Sequence, residues 1–247
     1  MDNLGYKNVL ITGASRGIGR EIALRMAKPE INIFLNYNRS HDDAEDVASL
    51  VEQEGAKCIL LQADVSNHED IKRMFKEIYL HTDKIDVLVN NAGVLKKQNF
   101  ISTTEADWDV VLDTNVKGAF LCAKYAARNM IKNKKGCIIN IQSTVTQKIL
   151  SMQSSYVVSK MGLQGLTQAM AKELGPFNIR VNAVSPGPVF TDICQYTEDE
   201  KQEILNLIPL RKHTTGNDIA ELVSFLASDS AAQISGQIIC VDGGLSL

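Results

Sequence analysis

The chain has no apolar run approaching the roughly 18 residues needed to span a bilayer. Its first residues, Met1-Asp2-Asn3-Leu4-Gly5, lack the basic-then-apolar pattern of a secretory signal. These two absences predict a soluble, cytoplasmic protein with no membrane role. Cysteine is sparse: Cys58, Cys122, Cys137, Cys194 and Cys240 form an odd set of five without a Cys-x-x-Cys pair. That argues against a disulfide framework and for free, mostly buried thiols. The four histidines (His41, His68, His81, His213) show no metal-ligand spacing and read as surface residues, so no metal is expected. Charge of one sign is never concentrated, with 26 Lys+Arg against 29 Asp+Glu and a net charge of −3. The densest basic patch, Lys132-Asn133-Lys134-Lys135, is short, precedes Gly136 and reads as a solvated helix end, so nucleic acid is not an expected partner. Linkers, repeats and low-complexity segments are absent too.

What is present is a hydrophobic fraction of 45% over 247 residues, enough for a sizeable core. Short β-branched runs alternate with helical patterns. Asn8–Ile11, Ile31–Leu35, Cys58–Leu61, Val87–Val89, Cys137–Ile141, Arg180–Val184 and Gln237–Val241 read as seven strands. They are apolar throughout, as parallel strands buried on both faces should be. Helices are expected near 17–27, 41–54, 67–80, 105–132, 154–174 and 218–227. Ser66-Asn67-His68-Glu69 reads as a capping box, and Thr197-Glu198-Asp199-Glu200 as another opening a short extra helix. Gly55 and Gly136 stand where a left-handed residue should end a helix. The alternation implies right-handed crossovers and one doubly wound α/β domain over 1–247, a Rossmann-type seven-stranded parallel sheet with helices on both faces.

The first strand runs into Thr12-Gly13-Ala14-Ser15-Arg16-Gly17-Ile18-Gly19, and a helix follows. Glycines belong there because the backbone must turn sharply, approach a pyrophosphate and pack helix close to sheet. The helix N-terminus then offers free N–H groups and a positive dipole end to phosphate. Further along, Tyr156 and Lys160 are four residues apart on an expected helix, so both fall on one face. Hydride transfer to a carbonyl needs a proton for the developing alkoxide, and the reverse reaction needs a base. A free tyrosine titrates near ~10, and a neighbouring ammonium lowers that value toward the working range. Ser143 lies thirteen residues before Tyr156, just past an apolar strand.

The Thr-Gly-x-x-x-Gly-Ile-Gly spacing resembles the fingerprint of the short-chain dehydrogenase/reductases in their compact branch. Further matches follow in family order: Asp64-Val65, Asn90-Asn91-Ala92-Gly93, Asn115 inside a long helix, Ser143, Tyr156-x-x-x-Lys160 and Pro186-Gly187 after the sixth strand. The run from Ser235-Gly236-Gln237 to Val241-Asp242-Gly243-Gly244 completes a likeness that covers the chain. The resemblance implies that Tyr156 is the general acid/base and that Lys160 lowers its pKa and holds the nicotinamide ribose. It implies that Ser143 stabilises the substrate oxygen and that Asn115 fixes a water linking Lys160 to solvent. It assigns cofactor contacts to Gly13, Ser15, Arg16, Gly17, Ile18 and Gly19, to Asp64 and Val65 at the adenine, and to Asn91, Ala92 and Gly93 along the ribose. Pro186, Gly187, Val189 and Thr191 are expected beside the nicotinamide.

Cofactor choice turns on the end of the second strand. An acid there would accept from a ribose 2′-hydroxyl and repel a 2′-phosphate. Tyr37-Asn38-Arg39-Ser40 has none, and Arg16 lies in the glycine loop, so NADP(H) is favoured over NAD(H), with Asn38 and Arg39 at the phosphate. For substrate, the chain is most similar to 3-oxoacyl-[acyl-carrier-protein] reductases, which implies a carbonyl or acyl-thioester substrate, an acyl carrier protein partner at Arg128 and Lys172, and a homotetramer. Segment 190–215 is expected to form a flap. Leu95, Thr144, Val145, Gln153 and Cys194 are pocket candidates. Three departures from those reductases sit beside the substrate: Ser155 before the tyrosine in place of Asn, the glycine-free Thr144–Gln153, and Lys96-Lys97 in place of Arg-Asp. Alternatives are therefore a dehydrogenase or reductase of another small alcohol or ketone, and a dinucleotide-binding protein without catalysis.

Overall fold

The computed structural model describes residues 5–190 and 197–247. Its seven strands are β1 (Asn8–Ile11), β2 (Asn32–Tyr37), β3 (Lys57–Gln62), β4 (Val87–Asn90), β5 (Gly136–Ile141), β6 (Ile179–Pro186) and β7 (Ile238–Val241). They form one sheet in the order β3-β2-β1-β4-β5-β6-β7, parallel at every pairing. The helices are α1 (Gly17–Met26), α2 (His41–Gln53), α3 (His68–His81), α4 (Glu105–Leu112), α5 (Ala119–Asn133), α6 (Ser154–Leu174), α7 (Glu198–Leu207) and α8 (Gly216–Ala227). The expected single doubly wound sheet is what forms.

The uniform hydrophobicity of the strands has a direct cause. Val9 and Ile11 join one core with Ile22, Val47 and Val223, under α1, α2 and α8. Leu10, between them, joins the opposite core with Phe75, Cys122 and Met130, under α3 and α5. Successive side chains point to opposite faces, and helices cover both, so a polar residue in either register would be buried. Each fully buried aliphatic side chain stabilises the fold by roughly 1.5–3 kcal/mol. The strand order reverses between β1 and β4, and that is where an open α/β sheet leaves a crevice at its carboxyl edge.

Local expectations fail in instructive places. Helix α3 is capped by Asn67, not Ser66: the Asn67 side chain accepts from the amides of Glu69 at 2.9 Å and Asp70 at 3.3 Å. Ser66 instead bonds Asp64. The left-handed residue ending α5 is Lys134 (φ 49°), not Gly136. Gly136 opens β5, and a Cβ there would run into the Met130 side chain, so its role is close packing. Gly55 does adopt the left-handed conformation, at φ +86°. Pro186 ends β6 rather than following it. The helix expected over 105–132 is interrupted: residues Asp113–Gly118 form a π turn between α4 and α5. The Thr197–Glu200 box is present, and a second one, Thr215 with Asp218, opens α8. Cys122 and Cys137 are buried, Cys58 is half-buried and Cys240 exposed, all four as free thiols. Burial pushes the Cys58 and Cys122 thiols up to about 12 and Cys137 up to about 11, which makes them poor nucleophiles. Cys194 lies outside the described residues.

Candidate active site

A cleft of about 1030 Å³ opens along the carboxyl edge of the sheet at the reversal. One half is built by the glycine loop. Gly13 and Gly17 hold φ +62° and +56°, a backbone that L side chains rarely adopt. A Cβ at Gly13 would come within 2.9 Å of Ala92 Cα, and one at Gly19 within 2.8 Å of Ala14 Cα, so loop, sheet and α1 are in direct backbone contact. Helix α1 begins with no side-chain cap and no acidic residue in its first turn, which leaves its amides and positive end open to the cleft. The loop is braced from behind. Asn91 Nδ2 donates to the carbonyls of Thr12 (2.9 Å) and Gly13 (2.8 Å), and Thr12 Oγ1 accepts from the amides of Asn91 and Ala92. Asn36 accepts from the Gly13 amide and donates to the carbonyls of Leu61 and Ala63. Asn36 is not among the residues singled out from the sequence, and Thr12 enters there only as the opening letter of the glycine fingerprint. A polar residue at the end of an apolar strand is the available signal.

Gly13, Ser15, Arg16 and Ile18 line this half, while Gly17 and Gly19 shape the loop without reaching the lining. Asn38, Arg39, Asp64, Val65, Asn91, Ala92 and Gly93 line it as well, and Arg16, Asn38 and Arg39 are exposed. No carboxylate ends β2. The nearest, Asp64, is engaged: it accepts from the Ser66 amide and hydroxyl at 2.8 and 2.7 Å and from Asn38 Nδ2 at 3.0 Å. Partial burial opposes its ionisation, but the bonds from Ser66 and Asn38 and the charge of Arg39 together hold its carboxyl below the ordinary value.

The other half contains Ser143, Tyr156 and Lys160. Ser143 follows β5 and caps the short 3-10 turn Thr144–Thr146, its Oγ accepting from the Val145 amide at 3.3 Å. Tyr156 and Lys160 lie one turn apart on α6, as their spacing requires, with Lys160 Nζ 5.6 Å from the centre of the tyrosine ring. Lys160 is 4% exposed, and Nζ donates to the Ile141 carbonyl at 2.8 Å. Desolvation pushes its pKa down to about 8. A Cβ on Gly93 would lie 3.3 Å from Asn115 Oδ1 and 3.7 Å from Lys160 Nζ, so this glycine brings the end of β4 against both. Asn115 sits in the π turn and is buried. Its Oδ1 accepts from Val94 N at 2.8 Å, and its Nδ2 donates to Val94 O and Ser159 Oγ, each at 3.0 Å. Ser159 Oγ in turn donates to Tyr156 O at 2.7 Å. The side chain thus clamps the post-β4 loop to α6, standing behind the cleft wall rather than in it. A π turn inserts an extra residue into the helical ladder, and such turns recur at functional sites.

Pro186, Gly187 and Val189 line the cleft, and Val189 pairs with Thr214 in an isolated parallel bridge. Thr191 lies outside the described residues. Of the pocket candidates, Leu95, Thr144, Val145 and Gln153 line the same half. The far wall comes from within the 190–215 segment, though none of its residues is singled out in the sequence: Glu200, Glu203, Ile204 and Leu207, spaced to share one face of α7, close the cleft together with Leu245. Lys96 is held at the rim by Asp107 at 3.3 Å, and Asp107 also accepts from Gln98 and Thr104. Arg128 and Lys172 are exposed on α5 and α6. No cluster of metal-ligating side chains occurs, and no helix is long and apolar enough to cross a membrane, among the described residues.

A family described as Enoyl-(Acyl carrier protein) reductase matches residues 13–246. The chain is 42% identical over 240 residues to a 3-oxoacyl-[acyl-carrier-protein] reductase FabG of Staphylococcus epidermidis, covering 97% of this chain and 98% of that one. It is 38% identical over 246 residues to a 3-oxoacyl-[acyl-carrier-protein] reductase of Synechocystis, covering 99% of both. Among solved structures, a short-chain dehydrogenase/reductase from Serratia marcescens superposes with a TM-score of 0.92 at 34% identity, covering 98% of each chain.

Proposed function

The chain belongs to the short-chain dehydrogenase/reductase family and is an oxidoreductase, and we propose that it reduces the keto group of 3-oxoacyl thioesters, carried on acyl carrier protein, with NADPH. The observation that carries this reading is the buried ammonium of Lys160, fixed between Ile141 O and the Tyr156 ring inside the cleft. The cradle fits a dinucleotide: backbone contacts that only glycine allows, and an uncapped helix start for pyrophosphate. Exposed Arg16 and Arg39, with Asn38 and no free carboxylate at the end of β2, favour a 2′-phosphate. Gly187 and Val189 are proposed to position the carboxamide, with Pro186 and Thr191.

A reduced nicotinamide dinucleotide bound in this cradle supplies the hydride. Ser143 Oγ donates a hydrogen bond to the keto oxygen and stabilises the charge that grows there. Tyr156 delivers its phenolic proton to that oxygen, which leaves a hydroxyl on the substrate. Lys160 favours the phenolate left behind and so eases the transfer. Asn115 holds the loop after β4 and the start of α6 in register, and we assign it the water that links Lys160 to solvent. This set suits a carbonyl oxygen, so the 3-oxoacyl reduction of the two named relatives is preferred to the enoyl reduction in the family description.

Residues 190–215 are proposed as a flap whose α7 face meets the acyl part beside Leu95 and Val145. Exposed Arg128 and Lys172 suit an acidic carrier. Exposed Val110, Phe120, Val158 and Met161 on α4, α5 and α6 support helix pairing in a homotetramer. A cytoplasmic location accords with free thiols. A second reading, reduction of another ketone, is favoured by the Lys96–Asp107 pair at the rim and by the glycine-free wall after Ser143. The test is NADPH oxidation with acetoacetyl thioesters against a panel of cyclic and linear ketones. Absence of thioester turnover refutes the first reading. Tyr156→Phe is expected to abolish turnover and keep NADPH binding.

A further inference from the structure

Strand β5 carries side chains in its second half that a buried strand should not have. Gln142, directly after its last residue, is 2% exposed and lies between two functional neighbours. Ile141, before it, accepts from Lys160 Nζ, and Ser143 follows it. The backbone of Gln142 extends the sheet ladder, its amide donating to Val184 O at 2.7 Å. Its side chain turns the other way, toward α6. There Nε2 donates to Gln164 Oε1 at 3.1 Å and to the backbone carbonyl of Lys160 itself at 3.3 Å, with a longer contact to Thr146 Oγ1 at 3.4 Å. Tyr156, Lys160 and Gln164 are spaced four apart along α6, so they form one stripe facing the sheet end.

The other amide atom, Gln142 Oε1, is buried with no partner among the described residues. A buried acceptor without a donor is costly, and a leucine would fill similar space without that cost. The amide orientation is set by chemistry: a carbonyl at Lys160 requires the donor end. What this arrangement supplies is a second tie between sheet and helix at the residue that matters. One tie runs from the Lys160 side chain to Ile141, the other from Gln142 to the Lys160 main chain.

We propose that Gln142 is a positioning residue of the proton-transfer machinery, fixing the rotation of α6 at Lys160 so that the ammonium stays buried beside Tyr156. This rests on the proton-transfer roles proposed above for Tyr156 and Lys160. The Asn115–Ser159 and Asn140–Thr167 bonds still hold the helix on either side, so loss of the second tie lets only the turn at Lys160 shift. The lysine then reaches water, regains an ordinary titration and holds the phenolate less well.

The test compares Gln142→Leu, Gln142→Glu and wild type as full-length proteins, with kcat and KM for acetoacetyl-CoA and NADPH measured from pH 5.5 to 10. NADPH affinity is followed by fluorescence. Gln142→Leu is expected to lower kcat at least tenfold, to change the NADPH Kd less than threefold, and to move the alkaline limb of the kcat profile upward. A glutamic acid at this position can donate to Lys160 O only when protonated. Gln142→Glu is therefore expected to approach wild-type kcat at low pH and to lose it as the introduced carboxyl ionises, a pattern that a mere space-filler does not give. Wild-type kcat with an unmoved alkaline limb in Gln142→Leu overturns the proposal, as does a pH-independent defect in Gln142→Glu. Should Gln142→Leu fail to fold, Gln142→Met, which likewise has no donor for Lys160 O, must shift the same limb or the proposal falls. Tyr156→Phe is run alongside. If it retains turnover, the proton donor is misassigned and this inference falls with it, whereas its failure alone leaves the Tyr156 assignment standing.

Discussion

Lys160 is an expensive residue, and replacing it with methionine should expose the expense. Burial takes its pKa from the ordinary 10.5 down to about 8. At about 1.4 kcal/mol per pH unit, the native state of the cofactor-free protein pays roughly 3 kcal/mol to keep the amine charged at pH 7. Methionine has a similar length and no charge, so Lys160→Met removes that penalty. Against this stands the hydrogen bond from Nζ to Ile141 O at 2.8 Å. Losing it leaves a buried carbonyl unpaired, at about 1–2 kcal/mol. The net is a gain of about 1–2 kcal/mol at pH 7. The pH dependence follows from linkage. In the unfolded chain the lysine stays protonated to about 10.4, whereas in the native state it deprotonates near 8. Between those values the unfolded state binds more protons, so wild-type stability rises with pH across this window, and the charge penalty is gone above it. Urea unfolding of both proteins at pH 7.0 and 10.5 measures the difference. Lys160→Met should be the more stable at pH 7.0 and no more stable, or less, at pH 10.5, while kcat at pH 7 falls by about 10³. A variant less stable than wild type at pH 7.0, or a difference that does not change across the window, refutes the reasoning.

Other expectations are as specific. Arg39→Ala should raise the KM for NADPH about tenfold or more, the worth of one charge-assisted bond, and leave that for NADH within twofold; equal losses would remove the 2′-phosphate assignment. Ser143→Ala should cut kcat about 10²–10³-fold with NADPH affinity unchanged, as steady-state kinetics and a fluorescence titration can establish. A Cβ at Gly118 would sit 2.7 Å from the Val65 carbonyl, so Gly118→Ala should destabilise by about 1–3 kcal/mol. An unchanged melting temperature would mean that the π turn can slide away from the loop after β3.

The strands, the crossovers and the gathering of Ser143, Tyr156 and Lys160 in one cleft are legible because each depends on local pattern: uniform hydrophobicity, a glycine spacing, a four-residue interval. The misreadings share a different cause. Lys134 takes the left-handed turn because Gly136 is needed for closeness to Met130, a contact between elements that spacing does not encode. Ser66 looked like a cap until Asp64, itself drawn toward Asn38, claimed it. The π turn at Asn115 leaves the hydrophobic rhythm of 105–132 nearly intact, since one extra residue shifts phase without adding a polar break. Gln142 and Asn36 carried a legible anomaly, a polar residue at a strand's end, but its partners lie on other elements.

The π turn also places a constraint on how this gene can change. Deleting a single codon within 113–118 would let the segment relax to plain α-helix, but everything on its amino side would then swing about 100° around the axis. Val111, wholly buried, would be turned toward water, and the Asn115 clamp on Val94 would lose its aim. Substitutions at exposed Lys117 can drift; insertions and deletions cannot. In descendants of this chain, the residue count between α4 and α5 should be invariant even where the letters are not.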